Sequence, residues 1–225
     1  MEVLYEDNHI IAVNKQVSDI VQGDKTGDEP LSEKVKAYVK EKYNKPGAVF
    51  LGVTHRLDRP VSGVLLFART SKALTRLNEM FLKKEIKKTY WTIVKEKPPK
   101  DSDTINHYLV RNQKKNKSFA YDKEVKDSKL ASLSYKLIAS ADNYFLLEVD
   151  LHTGRHHQIR SQLSKIGSPI KGDLKYGFPR SNSDGGISLH SRRIEFIHPV
   201  KKEKIEIVAD PPKGDALWNY FLSVL

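Results

Sequence analysis

The amino-acid sequence predicts an α+β protein. Short apolar and β-branched runs that are typical of strands outnumber the segments with helical periodicity. Several of these runs come in pairs joined by turn residues, a pattern that indicates antiparallel hairpins. We therefore expect a mixed, mostly antiparallel sheet flanked by helices. A chain of 225 residues can build a large core as one large domain or two small ones, and we predict a single domain over residues 1–225.

The strand predictions rest on the apolar runs and the turns between them. The two clearest hairpins are residues 3–15, which turn at 6–8, and residues 132–152, which turn at 141–143. The stretch 22–30 is rich in turn residues. Further strands are predicted at 48–53, 63–68, 87–97, 187–199 and 203–210.

Four segments have the periodicity or the end signals of helices. They are residues 30–47, 71–84, 155–167 and 214–225. In the third, Ile159, Leu163 and Ile166 form an apolar stripe, and Gly167 follows the last turn. The remaining long stretch, 111–129, is lysine-rich and irregular. It predicts either a solvated loop or a basic flap over a phosphate backbone.

The composition limits the class of function. The net charge of +11 and the isoelectric point near 9.5 suit a polyanionic partner such as nucleic acid, although a merely lysine-rich protein has the same surplus. The absence of cysteine excludes disulfides and thiolate metal sites and suits a reducing compartment. No apolar run approaches a membrane span, and the first residues lack the pattern of a signal peptide. We therefore expect a cytoplasmic protein with no membrane partner.

A dense group of charges lies at residues 55–59, directly before a strand that has to be buried. His55, Arg56, Asp58 and Arg59 occupy four of these five positions. Positive neighbours favour the ionised form of a carboxylate, so Asp58 is suited to act as a nucleophile or a base. The alternative is a surface turn with a local salt bridge.

A second group lies at residues 152–160, "HTGRHHQIR". We expect Arg155, His156 and His157 in the first turn of the third helix, with Arg160 one turn beyond. His156 and Arg160 would then face the same way. The helix dipole disfavours a cation near an N-terminus. An arginine at this place is therefore expected to bind a specific anion, which is an aspartate, a phosphate or both.

Two adjacent aromatic residues lie on the predicted strand 87–97. Tyr90 and Trp91 point to opposite faces of a strand, so one of them should face away from the main core. That residue either fills the face of the sheet or provides a platform on which a base stacks.

Metal and nucleotide cofactors have no support in the sequence. Five histidines suggest a metal site: His152, His156, His157, His190 and His198. However, no H-E-x-x-H pattern is present, cysteine is missing and arginines crowd the group. Neither the P-loop spacing nor G-x-G-x-x-G occurs, so no nucleotide cofactor is expected.

Taken together, the two charged motifs resemble those of the RluA-type family of RNA pseudouridine synthases. The motif "HRLDRPVSG" at 55–63 is followed about a hundred residues later by the segment 153–173. Supporting stretches occur in the order of the family at 4–15, 88–94 and 189–199. The resemblance covers nearly the whole chain. It implies the pseudouridine-synthase fold, with an active-site cleft along one face of the sheet.

The resemblance also implies a reaction and its residues. Such enzymes break the N1–C1′ bond of a uridine in RNA, turn the uracil and join C5 to C1′, without metal or cofactor. The essential aspartate falls on Asp58, which attacks C1′ or removes the C2′ proton, and its basic partner falls on Arg160. The active-site tyrosine falls on Tyr90, which would stack on the uracil and help to remove the C5 proton. Leu189 would pack beside the base.

Other residues are implied in RNA binding. The target uridine has to leave its helix or loop, and Arg56 matches the residue that fills the vacated space. Arg155 and the surplus lysines would contact phosphates. We also assign His55, Arg59 and His156 to the RNA-binding set. The RNA is expected to be ribosomal RNA, transfer RNA or both, and the enzyme is expected to be a monomer.

The sequence departs from the family pattern in places. The threonine that usually precedes the serine of the first motif is Val61 here, and the usual "NKPAG" reads "NKQVSD" at 14–19. The sequence begins directly with the catalytic domain, so no S4-type RNA-binding domain is expected, and loops of this domain should select the substrate.

Two other classes of function remain. One is an inactive RNA-binding protein on the same scaffold, against which Asp58, Tyr90 and Arg160 argue. The other is a metal-dependent nuclease or a glycosidase, which would need a second acid. The candidate for that acid, Asp173, is interpreted as a structural turn residue.

Overall fold

The structure is a computed structural model that describes residues 1–24 and 27–225. Residues 25 and 26, within the stretch predicted to be rich in turns, lie outside that description. The chain is divided into two compact units. The first comprises Met1–Ile86 and Ser191–Asp210, and the second comprises Lys87–His190 and Pro211–Leu225. The prediction of a single domain stays a prediction.

The order of elements confirms an α+β fold with mostly antiparallel strand pairing. The strands are β1 (Glu2–Glu6), β2 (Ile10–Lys15), β3 (Gly52–Val53), β4 (Ser62–Ala68), β5 (Lys87–Val94), β6 (Ser102–Asn112), β7 (Lys117–Tyr121), β8 (Lys129–Ser140), β9 (Phe145–Leu151), β10 (Leu189–Ile197) and β11 (Lys204–Val208). The helices are α1 (Leu31–Lys42), α2 (Ser71–Leu82), α3 (Gln158–Lys165) and α4 (Ala216–Val224), with a short 3-10 turn at Leu174–Tyr176.

The first unit is built around β2 and β4. These strands pair antiparallel, with Lys15 opposite Gly63, and every residue of both strands is buried. Strands buried on both faces read as continuous apolar runs, which explains the sequences "IIAV" and "VLLFA". Helix α2 packs on them through Ala73 and Leu77, as its apolar face predicts.

The second unit is an antiparallel sheet in the order β5-β9-β8-β6-β7. Helix α4 packs Trp218 and Phe221 against Trp91. Trp91 therefore faces α4, and Tyr90, the preceding residue along the strand, points to the opposite face. Tyr90 and Trp91 are both buried, because α4 covers the second face of β5.

The prediction of an irregular segment at 111–129 is wrong for much of its length. Strand β6 continues to Asn112 and pairs with β7 through a tight turn at Gln113–Asn116. The alternation of buried Ile105, His107 and Leu109 with more exposed neighbours indicates a strand. The lysines obscured the hairpin because they lie mainly at its turn.

Two element boundaries also differ from the prediction. The strand predicted at 48–53 is reduced to Gly52–Val53. Helix α3 begins at Gln158, so Arg155, His156 and His157 precede it rather than forming its first turn. The reason is local, since His157 has a left-handed backbone conformation with φ of 52° and cannot continue a right-handed helix.

Gly63 gives a first testable prediction. Its φ is +113°, and an added Cβ would lie 2.3 Å from the carbonyl oxygen of Ser191. We expect Gly63→Ala to lower the free energy of unfolding by the cost of backbone strain, about 1–3 kcal/mol, plus about 1–3 kcal/mol for overpacking. Urea unfolding measures the change.

The matched control is Gly177→Ala. Gly177 has a similar φ of +101°, but an added Cβ meets nothing within 4 Å. This variant should therefore lose only the strain component. If both variants lost the same free energy of unfolding, the close packing of Gly63 against Ser191 would not limit the size of the residue at position 63.

Candidate active site

Asp58 lies in the first unit, on the loop 54–61 between β3 and β4. The amide of Val61 donates to the carbonyl oxygen of Asp58 at 3.0 Å and closes a tight turn. The residue is half-buried. A carboxylate is therefore presented from a short turn that leads directly into a fully buried strand.

The turn is held from the interior by the side chain of Lys15, a residue that was not predicted from the sequence. Its side chain is 0% exposed. Its ammonium donates to the carbonyl oxygens of Gln16 at 3.0 Å, Arg59 at 3.1 Å and Val61 at 2.6 Å. The signal was a lysine that follows the apolar run 10–13 after one intervening residue, Asn14, in a strand that is buried on both faces.

The electrostatics of Lys15 link it to the candidate aspartate. Burial lowers the pKa of the Lys15 ammonium to about 8, while the carboxylates of Asp19 and Asp58 act in the opposite direction and Arg59 adds to the lowering. A cation in the core thus supports the Asp58 turn both by hydrogen bonds and by charge.

The other charged residues of the first motif have separate contacts. Arg56 is exposed, and the guanidinium of Arg59 pairs with Asp28 at 2.7 Å. His55 accepts a hydrogen bond from the amide of Leu66 at 3.0 Å through Nε2, and its ring packs on Phe81. These contacts give His55 a role in extending the β3–β4 ladder. The assignment of His55, Arg56 and Arg59 to RNA binding stays a prediction.

Tyr90, Arg160 and Leu189 lie in the second unit. Tyr90 is in the middle of β5, opposite Val149 of β9, and is buried, as is Leu189 at the start of β10. Lys88 lies two positions before Tyr90 on the same face of the strand, and burial lowers the pKa of its ammonium.

Asp173 and His157 hold the guanidinium of Arg160 inside the second unit. Asp173 accepts two hydrogen bonds, from Nε at 2.7 Å and from Nη2 at 2.9 Å, in the bidentate arrangement of a strong Arg–carboxylate pair. The second contact joins Nη1 to Nε2 of His157 at 3.1 Å. Arg160 therefore has an aspartate as its anion. Asp173 was expected to be only a structural turn residue, but it also forms the ion pair with Arg160.

His156 differs from the prediction. It was expected to face the same way as Arg160, but the residue that contacts Arg160 is His157. His156 instead hydrogen-bonds Ser118 at 2.9 Å through Nδ1 and Asn116 at 3.2 Å through Nε2. This change follows from the later start of α3, which moves the histidines out of helical spacing.

Positive charge is concentrated in two stretches of the second unit. Residues 108–121 contain four lysines and arginines and no acid, and residues 152–183 contain six and a single acid, Asp173. Together they account for nine of the eleven net charges. Contacts of Asn116 with His156 at 3.2 Å and with Lys175 at 3.1 Å bring the stretches together.

We call this surface the basic corner. It consists of the positive side chains of Arg111, Lys114, Lys115, Lys117, Arg155 and Lys175. Within residues 1–24 and 27–225, none of these side chains forms an ion pair. Lys117 instead lies 4.9 Å from the ring centroid of Tyr176. By contrast, α1 carries lysines that are neutralised, as in the pairs of Lys36 with Glu33 and Lys42 with Glu6.

Two further features concern metal binding and membranes. In the described part of the chain, no group of three or more histidines, aspartates or glutamates is arranged to hold a metal ion. No helix among the described residues is long and apolar enough to cross a membrane.

Comparison with known proteins shows the family. A family model described as RNA pseudouridylate synthase matches residues 9–165, and the chain belongs to this family of isomerases. The match includes Asp58, Tyr90 and Arg160. The resemblance stated from the two motifs is therefore confirmed.

Curated relatives of similar identity are named as pseudouridine synthases. They include "Uncharacterized RNA pseudouridine synthase YlyB" of Bacillus subtilis (30% identical, covering 96% of this chain and 71% of the relative), "Ribosomal large subunit pseudouridine synthase C" of Rickettsia prowazekii (33%, 93% and 68%) and "tRNA pseudouridine synthase C" of Pectobacterium carotovorum (29%, 97% and 60%). The chain spans about two thirds of the length of these relatives.

Solved structures support the fold. "Human RNA Pseudouridylate Synthase Domain Containing 4" is similar with a TM-score of 0.81 at 21% identity, covering 99% of this chain and 93% of that one. "Human RNA Pseudouridylate Synthase Domain Containing 1" has a TM-score of 0.72 at 20% identity. The predicted pseudouridine-synthase fold is thus confirmed.

The buried ammonium gives a pH-dependent prediction. Because the pKa of Lys15 is about 8 in the folded protein and the ordinary value of a lysine is 10.5, the unfolded chain holds more protons between these pH values. The free energy of unfolding should therefore gain a contribution from Lys15 as pH rises from 8 to 10.5, by about 3 kcal/mol in total. Urea unfolding of the parent and of Lys15→Met at several pH values measures it.

The variant serves as the reference, since methionine keeps the length of the side chain and does not titrate. Other groups titrate equally in both proteins. A difference between them that stays constant from pH 8 to pH 10.5 would contradict a depressed pKa at Lys15.

Proposed function

We propose that this chain converts specific uridines in structured ribosomal RNA or transfer RNA into pseudouridine. The observation that carries the proposal is the family match over residues 9–165, which includes both charged motifs. Relatives named for large-subunit ribosomal RNA and for transfer RNA support the two substrate classes. We expect the enzyme to act as a monomer in the cytoplasm without a metal or nucleotide cofactor.

Asp58 is proposed as the essential carboxylate. Its position on a short turn backed by the buried Lys15 suits a group that must stay in place during bond breaking. It would attack C1′ of the flipped uridine or remove the C2′ proton, and in both routes the N1–C1′ bond breaks with the electrons moving to uracil. Arg160 is proposed as its basic partner.

The remaining roles concern the base and the backbone. Tyr90 is proposed to stack on the uracil and to help remove the C5 proton after C5 has bonded to C1′, and Leu189 to pack beside the base. Arg56 would fill the space that the flipped base leaves. The basic corner is proposed to bind phosphates, because its charges are not neutralised within the described chain.

The role of Asp58 is tested by Asp58→Asn, which removes the charge at nearly constant volume. The variant should bind unmodified transcripts of ribosomal and transfer RNA within about twofold of the parent affinity, yet form no pseudouridine. Carbodiimide labelling with reverse-transcription stops detects the product. The same change at Asp142, in the β8–β9 turn, is the control and should leave activity intact. Turnover by Asp58→Asn at the parent rate would exclude Asp58 from the chemistry.

The basic corner is tested by Lys114→Gln with Lys115→Gln. Because each lysine that contacts a phosphate releases counterions, the double variant should weaken RNA binding roughly tenfold and reduce the slope of log K against log salt by about 2. Filter binding at several salt concentrations measures both quantities.

The control removes the same charge from α1, with Lys36→Gln and Lys40→Gln. This variant should leave the salt slope nearly unchanged. Equal effects of the two double variants would mean that RNA responds to overall charge and does not dock on the basic corner.

A further inference from the structure

The contacts of Arg160 determine where His157 carries its proton. A guanidinium can only donate hydrogen bonds, so Nε2 of His157, which lies 3.1 Å from Nη1 of Arg160, has to be an unprotonated acceptor. A neutral imidazole then carries its hydrogen on Nδ1. That nitrogen lies 3.0 Å from the hydroxyl oxygen of Tyr176, which also accepts from the amide of Ser118 at 2.8 Å.

We propose that His157 is a positioning residue for Arg160 and that it acts only as the neutral tautomer protonated at Nδ1. This inference rests on the proposed function, in which Arg160 is the basic partner of the catalytic carboxylate. Asp173 holds one edge of the guanidinium through Nε and Nη2, and His157 holds Nη1. Together they fix both the direction and the rotation of the guanidinium plane.

The surroundings hold the imidazole of His157 in one orientation. The ring stacks on that of His156 with centroids 3.8 Å apart and meets the ring of Tyr176 edge-on at 5.6 Å. The residue is buried, and its left-handed backbone sets the ring apart from the helix that follows. The side chain is thus constrained by packing as well as by hydrogen bonds.

The charged and titratable groups around this ring explain why the neutral form is required. Arg160 faces it from α3, His156 from the preceding loop and Tyr176 from the 3-10 turn, while Asp173 is reached through the guanidinium. From β7, the ammonium of Lys117 lies 4.9 Å from the centroid of the Tyr176 ring. A second proton on His157 would place two cations 3.1 Å apart and remove the acceptor for Nη1.

The first test measures the tautomer directly. Nitrogen-15 NMR of the imidazole side chains at neutral pH, with His157→Gln to assign the signals, should show His157 protonated at Nδ1 and unprotonated at Nε2. Free histidine favours the opposite tautomer, so this result is not expected by default. Protonation at Nε2 at neutral pH would overturn the inference. The measurement needs no substrate, so its outcome is independent of whether the proposed function is correct.

The second test separates the two hydrogen bonds of His157. In His157→Gln the amide reaches the position of Nε2 and can still accept from Arg160. In His157→Asn the shorter amide reaches only the position of Nδ1, so the contact with Tyr176 is kept and the contact with Arg160 is lost. Asparagine also tolerates the left-handed conformation well, so the second variant is expected to fold.

Single-turnover and steady-state kinetics of pseudouridine formation distinguish the variants. We expect His157→Gln to keep kcat within about threefold and His157→Asn to lose at least tenfold in kcat, with KM nearly unchanged in both. Equal loss in the two variants, or full activity of His157→Asn, would contradict the positioning role. If the parent forms no pseudouridine on any transcript, the proposed function fails while the NMR result still decides the tautomer.

Discussion

The burial of one ammonium in the β2–β4 core is the constraint on which the Asp58 turn depends. Lys15 is fully buried, yet its ammonium donates hydrogen bonds to three backbone carbonyls, those of Gln16, Arg59 and Val61. Burying a cation is costly, and this cost is offset only while the carbonyls and the nearby carboxylates stay in place. The turn that presents Asp58 is therefore held to a narrow set of conformations by the same interaction that keeps the lysine in the core.

In the second unit, a series of hydrogen bonds holds the buried guanidinium of Arg160 in place. The series runs from the amide of Ser118 through the Tyr176 hydroxyl and the His157 imidazole to Arg160, and it ends at Asp173. These groups are hydrogen-bonded to one another in sequence, which is the condition under which a buried polar network gives rigidity rather than strain. Each of the two candidate catalytic charges thus has a buried partner of opposite charge within its own unit. The partner is Lys15 for Asp58 and Asp173 for Arg160.

The sequence predicted the elements better than it predicted the contacts. Long periodic segments such as α1 and α2, and hairpins with clear turn residues, were placed correctly because each depends on local patterns. The lysine-rich hairpin β6–β7 was missed because the polar turn outweighed the alternation in its first strand. The partner of Arg160 and the buried Lys15 could not be predicted, since they depend on long-range packing and on one left-handed residue, His157, that shifts the start of α3.

The way the chain passes between its units has a consequence for biosynthesis. It enters the second unit at Lys87, returns to the first at Ser191 and leaves it again after Asp210. A nascent chain therefore lacks β10 and β11 of the first unit until residues 189–208 have been made, and Trp91 stays without its cover from α4 until residues 216–224 have been made. The first unit can complete its core only after Asp210 has been synthesised, and the second only after residues 211–225 have followed. Apolar strands such as β4 must be shielded from aggregation throughout that delay.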